Sequence, residues 1–221
     1  MAVKGVGNLK AIHIMVGGPV ELVPPLDSYL ADAEWIGIDG GAKRLLEFDI
    51  PMKKALGDFD SLSAEELTQL KQRVRDVTEF PAEKDLTDTE IGLMAAMEEK
   101  PDVIRIFGAT GGRMDHLLAN LMMLTKPEFR QAVPLVEIID CYNWMKMYLP
   151  GHYEIQKLQE MRYAAFITME NVTGLTLTGF KYPLQNATFS FARALSSNEF
   201  LQDSGTFSFD SGLILMIQSK D

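Results

Sequence analysis

The sequence predicts an α/β protein with a largely parallel, Rossmann-like sheet flanked by helices, followed by a C-terminal antiparallel β-sandwich or barrel. Three observations predict this. Through about residue 140, short apolar runs alternate with helical patterns, as in strand–helix–strand units. The loops that close several of those runs carry Gly beside Asp or Arg, as expected where ligands bind beyond the carboxyl ends of strands. After Pro150-Gly151 good helical periodicity stops, and short strand-like runs are punctuated by Asn171, Gly174, Gly179, Asn186 and Gly212. The expected division lies near Tyr148–Tyr153, giving residues 1–148 and 149–221 as the two domains.

Taken in order, Leu9 to Val16 reads as a strand closed by Gly17-Gly18-Pro19, and Leu26 to Ala31 as a brief helix. Glu34 to Ile38 is a second strand ending in Asp39-Gly40-Gly41, with a short helix over Ala42 to Phe48. Lys53 to Leu56 is a third strand. Ser63 to Val74 is helical, with Ser63 and Glu66 at capping-box spacing. Asp76 to Phe80 forms a strand stopped by Pro81, and a long helix starts near Leu86 or Thr87 and runs to about Lys100. Val103 to Phe107 leads into Gly108-Ala109-Thr110-Gly111-Gly112-Arg113, a helix covers Met114 to Leu124, and strand character resumes over Val133 to Ile139. The C-terminal strands are Tyr163 to Met169, Leu175 to Leu177, Ala187 to Arg193, Gly205 to Phe209 and Leu213 to Gln218.

Composition narrows the function classes. With 47% hydrophobic and 24% charged residues, the 221-residue chain is ordinary for a globular protein. Its 31 acids against 21 bases give a net charge of −10, which argues against a nucleic-acid binder. No apolar run reaches membrane-span length, so no membrane association is expected. The single cysteine, Cys141, excludes a disulfide framework, and a cytoplasmic location is the expectation.

The chemistry concentrates at strand ends. In Gly57-Asp58-Phe59-Asp60-Ser61 two acids stand two apart; in an extended segment both would face one way, where a hard divalent ion such as Mg²⁺ relieves their repulsion. A solvated acidic turn is the competing reading. In Lys84-Asp85-Leu86-Thr87-Asp88, Asp85 and Asp88 share a face of a first helical turn beside a cation, although plain helix capping explains them too. The loop from Gly108 to Arg113 follows a strand and opens a helix, so its backbone N–H groups suit an anion and Arg113 suits phosphate oxygens; a tight connection is the alternative. It matches neither the Walker A nor the Rossmann fingerprint. Asp115 and His116 follow, and Asp39-Gly40-Gly41 again puts a carboxylate next to permissive backbone. Together these point to Mg²⁺-assisted transfer of a phosphoryl or diphosphoryl group.

Asp39-Gly40-Gly41, Gly57-Asp58-Phe59-Asp60-Ser61, Lys84-Asp85-x-Thr87-Asp88 and Gly108 through His116, in that order, resemble thiamin pyrophosphokinase. Gly179-Phe180-Lys181-Tyr182-Pro183-Leu184 and Ser196-Ser197-Asn198 resemble that family's C-terminal motifs, with Tyr182 where eukaryotic members carry tryptophan. The resemblance implies transfer of diphosphate from ATP to the hydroxyethyl group of thiamin, with Mg²⁺ required and a homodimer whose active sites lie between subunits. It implies that Asp58, Asp60, Asp85 and Asp88 serve the metal, with Asp60 and Asp88 also catalytic. Asp39, Gly40, Lys84, Gly111, Gly112 and Arg113 would hold the ATP. Arg113 and Asp115 would act on the phosphates or the nucleophile, with Asp88 or Asp115 as candidate base. Tyr182, Ser197 and Asn198 would line the thiamin pocket. A diphosphokinase for another heterocyclic alcohol, such as a hydroxymethylpterin, and a non-catalytic nucleotide- or thiamin-binding regulator are the alternatives.

Overall fold

Strands with no solvent face read as largely apolar runs, and four of the five parallel N-terminal strands do so. β1 (Ala11–Met15) is buried throughout, β2 (Ala33–Ile38) over its last four residues and β3 (Lys54–Gly57) over its last three. β5 (Val103–Phe107) is buried except at Arg105, whereas β4 (Asp76–Glu79) exposes Asp76 and Glu79, as suits a sheet edge. The computed structural model describes residues 9–31, 33–60, 62–81 and 85–221. In it these strands pair in parallel in the order β5-β1-β2-β3-β4.

Parallel neighbours need crossovers, and helices supply them. α1 (Gly40–Glu47) links β2 to β3, α2 (Ala64–Arg73) links β3 to β4, α3 (Asp88–Glu98) links β4 to β5, and α4 (Met114–Met122) follows β5. α2 carries the expected capping box: Glu66 N–H donates to Ser63 Oγ and Ser63 N–H to Glu66 Oε2. α3 has a second one, between Thr87 and Glu90, so it begins at Asp88. Gly92 lets α3 settle on the sheet, because a Cβ there would stand 2.6 Å from Ile38 Cδ1.

The strand order has a consequence. From β1 the chain moves outward through β2, β3 and β4, then returns so that β5 lies on the other side of β1. The reversal opens a crevice beyond the carboxyl ends of β1 and β5, the place where open α/β sheets bind ligands.

The C-terminal strands are antiparallel. β7 (Asn143–Tyr148), β9 (Tyr163–Thr168), β12 (Arg193–Glu199) and β14 (Ile214–Ser219) pair in the order β12-β9-β14-β7. β8 (Gly151–Gln156), β10 (Val172–Thr178), β11 (Leu184–Phe189) and β13 (Ser204–Phe209) form a sheet in the order β11-β10-β13-β8. Alternate residues of both sets meet in one core that includes Phe166, Leu175, Phe207, Phe209 and Met216, which makes the arrangement a sandwich.

Several elements differ from the expectation. β7, β8 and β12 were not foreseen, and the expected strand Ala187 to Arg193 is instead β11 ending at Phe189. β11 and β12 are edge strands with mostly exposed side chains, so neither shows a clear apolar alternation. The strand expected over Val133 to Ile139 shortens to β6 (Val136–Ile139), because Pro127–Ala132 winds into a 3-10 turn. By contacts, one compact unit takes the chain up to Met123 with Ile139–Cys141, and the other takes Leu124–Ile138 and Tyr142–Asp221. β7 pairs along its length with β14, so it packs with the C-terminal unit. Among the described residues, no helix is long and apolar enough to cross a membrane.

Candidate active site

A cleft of about 680 Å³ opens at the β1/β5 reversal. Its floor is the end of β1 (Val16-Gly17-Gly18) against the glycine loop after β5, joined by Gly18 N–H donating to Gly108 O at 2.8 Å. Gly108, Gly111 and Gly112 all have left-handed φ values, 69°, 78° and 63°, which let this loop fold back without a Cβ clash. Buried Asn120 of α4 holds the loop from behind, its Nδ2 donating to Ala109 O at 3.0 Å. Asp39, Asp88, Arg113 and His116 also line the cleft.

The acidic side is tied together through Asp39. Its Oδ1 accepts the N–H of Asp58 at 3.0 Å and of Phe59 at 3.4 Å. Asp39 holds φ 47°, ψ −120°, a conformation costly for a residue with a Cβ, and the carboxylate bonds are what hold it there. Gly57 leaves room for that carboxylate, since a Cβ would lie 1.7 Å from Asp39 Oδ1.

The Asp58–Asp60 segment is a turn, which corrects the picture of two acids sharing one face of an extended strand. β3 ends at Gly57, Phe59 is left-handed at φ 52°, and Asp60 N–H donates to Asp58 Oδ1 at 3.1 Å. Phe59 is buried with Leu70 and Val74 and anchors the turn. Asp58 is half-buried, whereas Asp60 and Asp85 are exposed. Among the described residues, no three His, Cys, Asp or Glu side chains stand as a ready metal cage. Lys84 and Ser61 lie outside the described residues.

On the cationic side Arg113 grips Asp115 in bidentate fashion, Nε to Oδ1 at 3.2 Å and Nη2 to Oδ2 at 2.6 Å, with both side chains exposed. That pairing raises the Arg113 pKa further and holds the Asp115 carboxyl below its ordinary range. Arg44 of α1 is a cleft cation that the sequence reading passed over. It is half-buried, and its Nη1 donates to Val16 O at 3.2 Å.

In the C-terminal unit, Tyr182 is 57% exposed, and the Lys181 Nζ, paired with Glu199 at 2.7 Å, lies 5.7 Å from its ring centroid. Ser197 is exposed and left-handed at φ 59°. Asn198 is only 3% exposed and turns its amide onto the Tyr182 backbone.

Comparison with known proteins identifies the family. The thiamin pyrophosphokinase catalytic domain matches residues 26–136, and the thiamin pyrophosphokinase vitamin B1 binding domain matches residues 152–214. The chain belongs to the thiamin pyrophosphokinase family. A curated thiamine pyrophosphokinase of Bacillus subtilis (strain 168) is 41% identical over 216 residues, covering 96% of this chain and all of that protein. The crystal structure of a thiamin pyrophosphokinase family protein from Enterococcus faecalis superposes with a TM-score of 0.90 at 38% identity, covering 96% of this chain and 99% of the other. The thiamin pyrophosphokinase of Geobacillus thermodenitrificans gives 0.83 at 44% identity, covering 96% and 98%.

For a thiamin pyrophosphokinase family member, the electrostatics of the cleft are informative. Burial first, then the carboxylates of Asp88 and Asp58, push the Asp39 carboxyl up to about 6, against the pull of the Phe59 and Asp58 N–H groups. Asp88 and Asp58 therefore each repel Asp39. All-oxygen donors that repel in this way suit a hard divalent cation. Of the residues missed from sequence, Arg44 and Asn120 gave no local signal, whereas Gly17-Gly18 closing a strand was a legible one.

Proposed function

We propose that this protein is a thiamin diphosphokinase that transfers diphosphate from ATP to the hydroxyethyl oxygen of thiamin, giving thiamin diphosphate and AMP. The observation that carries the reading is a cleft at the β1/β5 reversal that joins a glycine loop, Arg113 and the Asp39/Asp88 carboxylates, in a chain that matches both domains of the family.

Placement in the cleft supports some of the proposed roles, and the family resemblance supports those of Asp58, Asp60, Lys84 and Asp85. Gly111 and Gly112 present backbone to the triphosphate, Arg113 and Arg44 offer guanidinium donors to its oxygens, and Gly40 lets the backbone approach beside Asp39. Lys84 is assigned to the triphosphate on the family resemblance. Asp58, Asp60, Asp85 and Asp88 would hold Mg²⁺, whose chemistry when bound is to neutralise charge on the phosphate oxygens. Asp39 sets the Asp58 turn through its Oδ1 bonds. In the reaction the thiamin hydroxyl oxygen bonds to the β-phosphorus, the bond from that phosphorus to the oxygen bridging it to the α-phosphate breaks, and AMP leaves. The hydroxyl proton is assigned to one of two candidate acceptors, Asp88 or Asp115, the second of which is gripped by Arg113. The protein otherwise positions the reactants.

We assign phosphate chemistry to residues 1–148 and thiamin recognition, through Tyr182 and Ser197, to residues 149–221. A homodimer with active sites between subunits is also proposed. Exposed Met114, Leu118 and Met122, spaced four apart on α4, support it as one apolar stripe beside the Arg113 loop. A cytoplasmic location fits the use of ATP. The deciding assay supplies Mg²⁺, ATP and thiamin to the purified protein. AMP and thiamin diphosphate appearing one to one are expected. ADP with thiamin monophosphate, or turnover only with a pterin alcohol, would overturn the reading.

A further inference from the structure

We propose that Asn198 is a positioning residue for the acceptor, acting through the backbone of Tyr182 and not by touching the acceptor itself, an inference that rests on the thiamin reading above. Asn198 is almost wholly buried and its amide is spent internally. Its Oδ1 accepts the N–H of Tyr182 at 2.8 Å and of Glu199 at 3.0 Å, and its Nδ2 donates to Tyr182 O at 2.9 Å. A primary amide offers two donors and two acceptor lone pairs, so three of its four capacities are in use.

Tyr182 lies between β10 and β11, where its backbone N–H and C=O have no ladder strand to pair with. One side chain satisfies both groups, as a neighbouring peptide unit would in a sheet. The flanking chain is pinned as well, with Lys181 N–H donating to Glu199 O and Leu201 N–H to Gly179 O, each at 2.9 Å. β12 shifts register between Leu195 and Asn198, with left-handed Ser197 inside the irregularity. Bulges of this kind re-aim side chains, and this one leaves Ser197 outward and Asn198 inward.

The product of this arrangement is a largely exposed aromatic ring on a backbone fixed at both polar atoms. A flat, cationic heteroaromatic such as thiamin gains from such a ring through its face. Holding the ring in place beforehand lowers the ordering cost of binding, which for one immobilised side chain is roughly three- to tenfold in affinity.

The test is a double-variant cycle on thiamin KM. Asn198→Ala and Tyr182→Ala are each expected to raise thiamin KM by about three- to tenfold, with kcat and the KM for ATP nearly unchanged. Adding Asn198→Ala to Tyr182→Ala is expected to raise it no further, because there is no ring left to position. Multiplying effects would mean that Asn198 acts on the acceptor independently, and would overturn the proposal while leaving the thiamin reading intact. A KM moved by Tyr182→Ala and unmoved by Asn198→Ala would overturn it too. If neither variant moves KM, the assignment of thiamin to this face fails and the proposal with it. Should Asn198→Ala not fold by circular dichroism, Asn198→Asp replaces it in the same cycle. That variant keeps the Oδ1 acceptor but replaces the donor to Tyr182 O with a second carboxylate oxygen, which breaks that contact, and its KM effect must likewise vanish in the Tyr182→Ala background.

Discussion

Gly57 and Asp39 show how one missing Cβ sets the acidic side of the cleft. The Asp39 carboxylate reaches two backbone N–H groups of the following strand's loop only because Gly57 leaves space for it. Gly57→Ala is expected to lose about 2–4 kcal/mol of stability, since either the Asp39 bonds or the backbone must give way. Urea unfolding of the folded variant checks this, and a loss below half a kilocalorie would count against the clamp. The presence of Gly and Asp at these strand ends was legible in the sequence. Their bonding was not, because the partners are 19 and 20 residues apart and belong to different loops.

At the scale of elements, α3 brings Asp88 to the cleft by starting at a capping box. Thr87→Ala removes the Oγ1 acceptor for Glu90 N–H and is expected to cost about 1 kcal/mol. Because fraying of the first turn displaces Asp88, turnover should fall more than stability does; kinetics and thermal melts on one preparation compare the two.

β1 carries a different liability. His13 pairs in register with Trp35 and Arg105, is 1% exposed, and packs edge-on against the rings of Tyr29, Trp35 and Phe107. Neither ring nitrogen meets a hydrogen-bond partner among the described residues. Burial, and after it Arg105, push its pKa down to about 3. The unfolded chain takes up this proton near the ordinary 6.5, so the unfolded state binds more protons between about 6.5 and 3, and stability falls as pH drops through that window. Asp39 runs the other way between its ordinary 3.8 and about 6, where the folded state holds the proton longer. Comparing wild type with His13→Phe isolates the histidine: between pH 7 and 4 the wild type should lose about 2–4 kcal/mol more than the variant. Parallel pH profiles of the two urea midpoints would refute it. An apolar strand was readable from Leu9 to Val16, but the register that buries His13 against two neighbouring strands was not.

For the whole molecule, the proposed homodimer makes a quantitative prediction. Asp60→Ala and Tyr182→Ala damage opposite halves of a shared site, the second by weakening thiamin binding, so they are compared at thiamin well below KM, where Tyr182→Ala alone should keep about a tenth to a third of wild-type activity. Co-refolded in equal amounts, they should recover roughly three tenths of wild-type activity, because half the dimers carry both variants and each of those has one intact site. Activity no higher than the average of the separate variants would exclude shared sites, and sedimentation of the wild type gives the assembly state directly.

By itself the sequence determined the class of the fold, the order of its strand-end loops and the kinds of side chain they carry. Those follow from local rules: apolar period, capping spacing, and Gly or Pro at turns. It also carried the family, since the motifs occur in the family's order. Tertiary structure alone decided that Asp58 and Asp60 sit in a turn instead of on one strand face. It likewise brought Arg44 into the cleft, and it turned Asn198 away from solvent onto Tyr182, 16 residues back. In each case the deciding hydrogen bond joins groups from separate loops or elements, or depends on a backbone angle that neither period nor composition encodes.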